Sequence, residues 1–108
     1  MILDIMAKDN KPKFICGDFN TTYDSDCFRR ISSVMHSAQD TALTTEEGMT
    51  YQDFGGALAI EDSIDFIFLD DNFFAVDFDI VDESSELNGK PIYYSDHYPV
   101  LSNVIFKS

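Results

Sequence analysis

With 108 residues, the chain has room for one domain with a single modest core. It carries 7 basic and 20 acidic residues, a formal net charge of −13, and this balance argues against non-specific nucleic-acid binding, which depends on Lys and Arg. No apolar run approaches transmembrane length, so we expect no transmembrane segment and take a cytoplasmic location as the default, with secretion of the parent protein left open.

The first predicted elements are a helix and a strand. Residues 2–6 have the apolar spacing of the last turns of an amphipathic helix. The stretch 13–17, with the sequence KFICG, then predicts a short buried strand, and Asp18 and Asn20 follow at its carboxyl end. Ligands collect at this end of the strands in α/β sheets, although Asp and Asn are also ordinary turn residues. Asp18 and Asn20 become candidate site residues only in the company of other motifs.

Both cysteines are predicted to be reduced packing residues. Cys16 lies within the predicted buried strand, and Cys27 follows eleven residues later. This spacing matches no metal-ligand motif, and reduced thiols are the default in a cytosolic protein. We therefore expect no disulfide between them.

A second helix is predicted to begin at a cap formed by Asp24 or Ser25 and to end at about His36. Its apolar face comprises Phe28, Ile31, Val34 and Met35. His36, at the end of this helix, is expected to interact with the helix dipole and to have no role in chemistry.

The region between the second helix and the next clear strand is polar. Residues 39–48 show little periodicity and predict a connecting loop, whereas residues 50–54 predict a short strand. The aromatic residues Tyr51 and Phe54 either line a substrate pocket or pack against the core.

Asp65 interrupts an otherwise apolar run that predicts a strand over residues 63–69. A carboxylate in a buried strand is costly unless it has a partner. Asp65 is therefore the most informative single residue of the chain.

Residues 73–82 alternate between apolar and acidic side chains, which predicts a half-buried strand at a sheet margin. The side chains expected on its apolar face are Phe74, Val76, Phe78 and Ile80. A turn is predicted at Asn88-Gly89, and a last strand at residues 100–106.

The segment 95–100, with the sequence SDHYPV, precedes the last strand and combines two kinds of chemistry. Asp96 offers a hard oxygen ligand, and His97 can donate a hydrogen bond to a phosphate. Adjacent side chains of an extended segment point to opposite sides, so the two do not duplicate each other. Taken alone, the pair also fits a solvated carboxylate beside a packed histidine.

Three motifs occur in order along the chain: GDFN at residues 17–20, IDFIF at 64–68 and SDHYPV at 95–100. Together they resemble the C-terminal half of the endonuclease/exonuclease/phosphatase superfamily, metal-dependent phosphoesterases that include DNase I-like nucleases, apurinic endonucleases, inositol phosphatases and sphingomyelinases. The resemblance extends from about residue 2 to 106 and implies a single partial domain over residues 1–108. The implied fold is α/β (α+β), the C-terminal half of a four-layer α/β sandwich with mainly one mixed or antiparallel sheet flanked by helices.

Phosphoester hydrolysis needs a metal ion, a base for water and donors for the developing negative charge. The chemistry of the residues, and the roles that the resemblance implies, make Asp96 a ligand of Mg²⁺ or Mn²⁺. His97 would donate to a phosphate oxygen, while Asp65 accepts from the other ring nitrogen and favours the protonated ring. Asp18 would activate or orient the attacking water, and Asn20 would hold the phosphate. Whether Asp18 acts as the base or as a ligand of a second metal is left open.

The resemblance also implies what is missing. The N-terminal half of the family domain contributes an Asn, a metal-binding Glu and a second catalytic His, and these have no counterpart in this sequence. Half of the sandwich would expose an apolar sheet face, which water penalises by about 25 cal/mol per Å². We therefore expect the chain to pair with the missing half or with itself.

Two functions from different classes follow. The first is the C-terminal half of a divalent-metal-dependent phosphoesterase, active only when completed; the second is an inactive remnant that serves as an acidic interaction or oligomerisation module. Within the first, the strong acidity favours a small-molecule or lipid-like phosphate ester over nucleic acid as substrate.

Overall fold

The computed structural model describes residues 2–8 and 10–107. The helices are α1 (Ile2–Ala7), α2 (Asp26–Ser32) and α3 (Ala38–Thr41), with a short 3-10 turn at Asp53–Gly55. The strands are β1 (Phe14–Asp18), β2 (His36–Ser37), β3 (Thr44–Thr45), β4 (Asp65–Leu69), β5 (Phe73–Ala75), β6 (Asp77–Ile80), β7 (Ser85–Leu87), β8 (Lys90–Ile92), β9 (Val100–Leu101) and β10 (Val104–Phe106). The chain is thus a mixed α/β structure with more sheet than helix, as predicted.

The first sheet has the order β1-β4-β2, and both of its pairs are antiparallel. From the central strand β4, Phe66 and Phe68 are buried against α2. Residues 66 and 68 lie on the same face of β4, because side chains alternate between the two faces of a strand. This face forms one side of the core, and α2 forms the other. The buried members of the core are Phe28, Ile31, Met35, Phe66 and Phe68.

Strand β1 is not buried, contrary to the prediction. Phe14 and Cys16 are exposed, because they lie on the face of β1 opposite Ile15, which packs against the first core. Cys27 is exposed as well. Both thiols are free, as expected, but neither is a packing residue.

Helix α2 begins where predicted and ends earlier. The Ser25 hydroxyl caps it by accepting a hydrogen bond from the Phe28 N–H at 3.1 Å. The helix stops at Ser32, because His36 adopts an extended backbone and pairs with Leu69 of β4. His36 therefore does not lie at a helix end, and the predicted dipole interaction is wrong. Val34, predicted on the buried face, is 61% exposed for the same reason.

A one-residue bulge divides the strand predicted over residues 73–82. In the antiparallel pairing of β6 with β9, Ile80 lies opposite Val100. In the pairing of β5 with β10, Ala75 lies opposite Val104, which is one residue out of register with the first pairing. Val76 sits at the offset and donates its N–H to the Asn103 carbonyl oxygen at 2.8 Å. As a result Ala75 is buried together with Phe78 and Ile80.

The bulge overturns the predicted alternation in its first half. Phe78 and Ile80 are buried as expected, but Phe74 and Val76 are only half-buried. A second hydrophobic core is formed by Ala75, Phe78 and Ile80 together with Ala38 from α3 and Leu69 from β4. A helical turn and β3 thus occupy part of the stretch 39–48 that was predicted to be loop, because β3 pairs in parallel with β6.

Two loops differ in how well the sequence predicted them. The β7–β8 hairpin turns at Asn88 and Gly89, both with positive φ (53° and 77°), as the Asn-Gly pair predicted. The strand predicted at 50–54 is wrong beyond one isolated bridge between Tyr51 and His97. The chain instead enters a 3-10 turn at Asp53–Gly55.

The described chain is more extended than an independent domain of its length. Its radius of gyration is 15.4 Å, whereas a compact domain of this size has about 13 Å. Strands β9 and β10 present exposed apolar side chains, namely Leu101, Val104, Ile105 and Phe106. Within residues 2–8 and 10–107, no helix has the length and apolar character needed to cross a bilayer.

Candidate functional site

Two carboxylates meet because of the register between β1 and β4. Asp18, the last residue of β1, lies directly opposite Asp65, the first residue of β4. The ladder continues past them, since the Phe19 N–H donates to the Ile64 carbonyl oxygen at 2.9 Å. Both carboxylates therefore emerge at the same end of the sheet, as the sequence predicted.

His97 reaches this pair from a loop distant in sequence. Its Nδ1 lies 2.7 Å from Oδ2 of Asp65, and its Nε2 lies 3.6 Å from Oδ2 of Asp18. One ligand atom from each of the three side chains falls within 4.8 Å of the others. Asp65, which needed a partner in a buried strand, thus has one in His97. The imidazole is bracketed by two carboxylates.

The surroundings of His97 favour its protonated form. Burial of the ring by itself lowers its pKa, but the hydrogen bond to Asp65 and the charges of Asp65, Asp18 and Asp96 outweigh that effect. The pKa of His97 is therefore raised above its ordinary value. A ring in this state presents an N–H donor at Nε2.

Asn20 and Asp96, the other two predicted site residues, lie beside this group. The Asn20 N–H donates to Oδ1 of Asp18 at 2.8 Å, in a turn where Asn20 has a φ of 52°. Asp96 is not one of the three converging residues, and its Oδ1 accepts from the Ser95 hydroxyl at 3.4 Å. Its charge nevertheless acts on the site, since it contributes to the raised pKa of His97.

The three converging side chains offer two carboxylates and an imidazole as ligands, and Asp96 lies outside this set. Carboxylate oxygens suit Mg²⁺, which binds through one or two carboxylates while keeping several waters. The side chain of Asp18 is 38% exposed, which leaves room for such waters. His97 fits poorly as a metal ligand, because one of its nitrogens bonds Asp65 and its environment favours the protonated ring.

Tyr51 forms one wall of the site. Its ring meets that of His97 edge to face, with 5.1 Å between ring centroids. Burial, followed by the nearby Asp53 and Asp96 carboxylates, raises the pKa of the Tyr51 phenol. Phe54, the other aromatic residue proposed for the pocket, is exposed. A cavity of about 130 Å³ adjoins the site and is lined by Gln52, Val81, Glu83, Tyr94, Ser95, His97, Tyr98 and Pro99.

Sequence reasoning missed Thr50 and Gln52, which are buried and hydrogen-bonded to the segments that carry Asp65 and His97. The available signal was slight: two polar residues on either side of a tyrosine in a short polar stretch. Only the folded arrangement identifies them as buried.

Comparison with known proteins places the chain among phosphoesterases in fold. The sequence profile described as the Endonuclease/Exonuclease/phosphatase family matches residues 1–97. A search of curated proteins finds no match.

The solved structures similar to this chain include two from Bacteroides. A mannosyl-6-phosphatase from Bacteroides thetaiotaomicron superposes with a TM-score of 0.83 at 19% identity, covering 97% of this chain and 43% of that one. An endonuclease/exonuclease/phosphatase from Bacteroides vulgatus gives a TM-score of 0.76 at 30% identity, covering 96% and 42%. The chain therefore spans less than half the length of the structures it resembles.

Proposed function

Because this chain belongs to the endonuclease/exonuclease/phosphatase family, we propose that it is the C-terminal part of a divalent-metal-dependent phosphoesterase. The reaction is hydrolysis of a phosphate ester by an activated water molecule. The observation that carries the proposal is the bracketing of His97 by Asp65 and Asp18 at 2.7 and 3.6 Å.

His97 and Asp65 act as a unit in this proposal. Asp65 accepts the hydrogen bond from Nδ1, which fixes the ring orientation and favours the imidazolium. The Nε2–H then donates to a phosphate oxygen on which negative charge develops. Such a donor is more effective when it is already oriented, because no reorganisation is needed during the reaction.

Asp18 and Asn20 serve the attacking water and the phosphate. Asp18 has its Oδ1 bonded to the Asn20 N–H, which orients the carboxylate, and its Oδ2 faces the site. It accepts the proton of the attacking water or orients that water for attack. The Asn20 amide, at the exposed rim, donates to a phosphate oxygen.

The proposed cofactor is Mg²⁺ or Mn²⁺, held by Asp96. When bound, such an ion neutralises phosphate charge and polarises the ester. The remaining ligands would come from the part of the domain that this chain does not contain. That part would also cover the exposed apolar side chains of β9 and β10.

We favour a small-molecule or lipid-like phosphate ester as substrate over nucleic acid. The net charge of −13 repels a polyanion, and the chain offers 7 basic residues to counter that repulsion. The likeness in fold to a protein named as a mannosyl-6-phosphatase supports the same choice.

The alternative is an inactive acidic interaction or oligomerisation module. The exposed apolar side chains of β9 and β10 favour it, since a second copy of the chain would cover them as well as another part of the domain would.

A chimera tests the proposal directly. The part of the Bacteroides vulgatus protein that this chain does not cover is joined to the 108 residues, giving what we call the completed protein. We expect it to hydrolyse p-nitrophenyl phosphate or its bis ester in Mg²⁺ and to lose that activity in EDTA, while the 108-residue chain alone is inactive. A folded chimera that hydrolyses neither ester would contradict the proposal and favour the inactive module.

A further inference from the structure

Asp65 and His97 are 32 residues apart in sequence, and both are tied to the same short segment. This segment, residues 50–53, runs between the start of β4 and the loop at residues 95–98. We call it the strap. Thr50 and Gln52 are its two buried residues, with 0% and 3% of their surface exposed.

On one side, the strap holds the start of β4. The Thr50 hydroxyl oxygen accepts hydrogen bonds from the N–H groups of Ile64 and Asp65, at 3.0 and 3.3 Å. These bonds fix the backbone of Asp65 at the point where its side chain turns towards His97.

On the other side, the strap holds the loop that carries His97. The Gln52 side-chain amide donates to the Ser95 carbonyl oxygen at 2.5 Å, and its backbone N–H donates to the Asp96 carbonyl oxygen at 2.8 Å. The Tyr98 N–H donates to the Thr50 carbonyl oxygen at 2.7 Å. His97 is therefore held from both sides along the chain.

The side chain of Gln52 is an unusual choice for packing alone. Its Oε1 is buried and has no hydrogen-bond partner among the described residues. A methionine would fill similar space without an unpaired oxygen, which is unfavourable when buried. The amide thus contributes through its donor end, which bonds the loop beside His97.

We propose that Thr50 and Gln52 are positioning residues that set the Asp65–His97 hydrogen bond. The strap acts as a common reference for two segments that the sheet does not connect. This inference rests on the proposed function for its catalytic meaning, but the geometry it describes is independent of activity.

The first test is spectroscopic and uses the 108-residue chain. The His97 Nδ1–H, bonded to Asp65, should give a downfield imidazole proton resonance in the NMR spectrum, assigned by its loss in His97→Gln. We expect the resonance to disappear in Thr50→Val and in Gln52→Met and to persist in Thr50→Ser, which keeps the hydroxyl. The matched control is Thr45→Val, since the Thr45 hydroxyl also bonds a backbone group, the Gln39 carbonyl oxygen. The control should keep the resonance.

The second test measures rates in the completed protein. We expect Thr50→Val and Gln52→Met to lower kcat about 10- to 100-fold with KM nearly unchanged, because a misplaced donor weakens transition-state contacts. Thr50→Ser should recover most of the loss. Thermal unfolding of each variant shows whether a lost signal reflects local displacement or global unfolding.

The outcomes separate the two proposals. Absence of the resonance in the unaltered chain, or its persistence in both Thr50→Val and Gln52→Met, overturns the positioning role whatever the activity. An inactive completed protein whose resonance responds as expected overturns the proposed function alone. If Thr50→Val does not fold, Gln52→Met decides the matter.

Discussion

The two carboxylates and the imidazole of the site are placed by different kinds of structure. Asp18 and Asp65 are placed by a regular antiparallel register along five residue pairs of β1 and β4. His97 is placed by hydrogen bonds between two loops, with a single bridge to Tyr51 in place of a ladder. The carboxylate pair therefore depends on the stability of a sheet, whereas the imidazole depends on a few buried polar contacts that can be removed one at a time.

The largest expected effect comes from removing the imidazole. In the completed protein, His97→Ala should lower kcat by about 100- to 10,000-fold, the usual contribution of a positioned proton donor. The sheet should stay folded, because His97 contributes one isolated bridge to the pairing. Steady-state kinetics with circular dichroism measure both quantities. His36→Ala, the change at the other histidine, should leave kcat intact; an unchanged rate in His97→Ala would remove His97 from the mechanism.

The next effect falls on the sheet itself. Phe68 of β4 has 0% of its surface exposed and packs against Phe19 and Phe28. Phe68→Ala should reduce the free energy of unfolding by about 3–5 kcal/mol, because it removes apolar contact and leaves a cavity. Urea titration measures this change. The control, Phe54→Ala, alters an exposed ring and should cost less than about 0.5 kcal/mol. Equal losses at the two positions would contradict the described core.

A smaller effect on the free energy of unfolding is expected at the end of the β1–β4 pairing that lies away from the site. Asp70 accepts hydrogen bonds from the N–H groups of Lys13 and Asn72, at 2.7 and 2.9 Å, and so joins the start of β1 to the end of β4. Burial alone would raise the pKa of Asp70, but these bonds outweigh it and lower the pKa. The resulting stability is present above the unfolded-state pKa of about 3.9 and is lost as pH falls through the lower folded-state value.

Asp70→Ala tests whether these hydrogen bonds stabilise the pairing of β1 with β4. We expect a loss of about 1 kcal/mol near neutral pH, since the carboxylate is partly exposed to solvent. The difference from the unaltered chain should vanish in acid, below the folded-state pKa. Asp71→Ala, a change at the next residue of the same turn, is the control and should have little effect at either pH. A loss that stays constant down to acid pH would show that the carboxylate charge is not involved.

The smallest effect on the fold is expected at β10, which belongs neither to the sheet that places Asp18 and Asp65 nor to the loops that place His97. Ile105 is exposed, so Ile105→Asp should change the unfolding free energy by less than about 0.5 kcal/mol. It should reduce self-association of the 108-residue chain, because it places a charge on the apolar surface that a second copy would cover. Light scattering at increasing concentration measures this. A monomeric unaltered chain would count against self-association.

The sequence predicted the three side chains that converge in the site, Asp18, Asp65 and His97, better than the contacts that hold the His97 loop in place. Asp65 was identifiable because burial of an unpaired carboxylate is unfavourable, so a carboxylate within an apolar strand needs a partner. The local sequence pattern alone shows that Asp65 has this position. The early end of α2 was not predictable, because pairing of His36 with Leu69 overrides a helical pattern that continues in the sequence. Thr50 and Gln52 were missed for a related reason, since only tertiary contacts bury these polar residues.

The bulge at Val76 has a consequence for how this part of the chain can change in length. Four residue steps separate Ala75 from Asp79, but three separate their partners Leu101 and Val104. Removal of Val76 would bring both ladders into one register and keep Ala75 and Phe78 on the same face. Elsewhere in a strand, deletion of one residue moves every side chain beyond the deletion to the opposite face of the sheet. Descendants of this sequence can therefore shorten here by a single residue without turning the second core inside out.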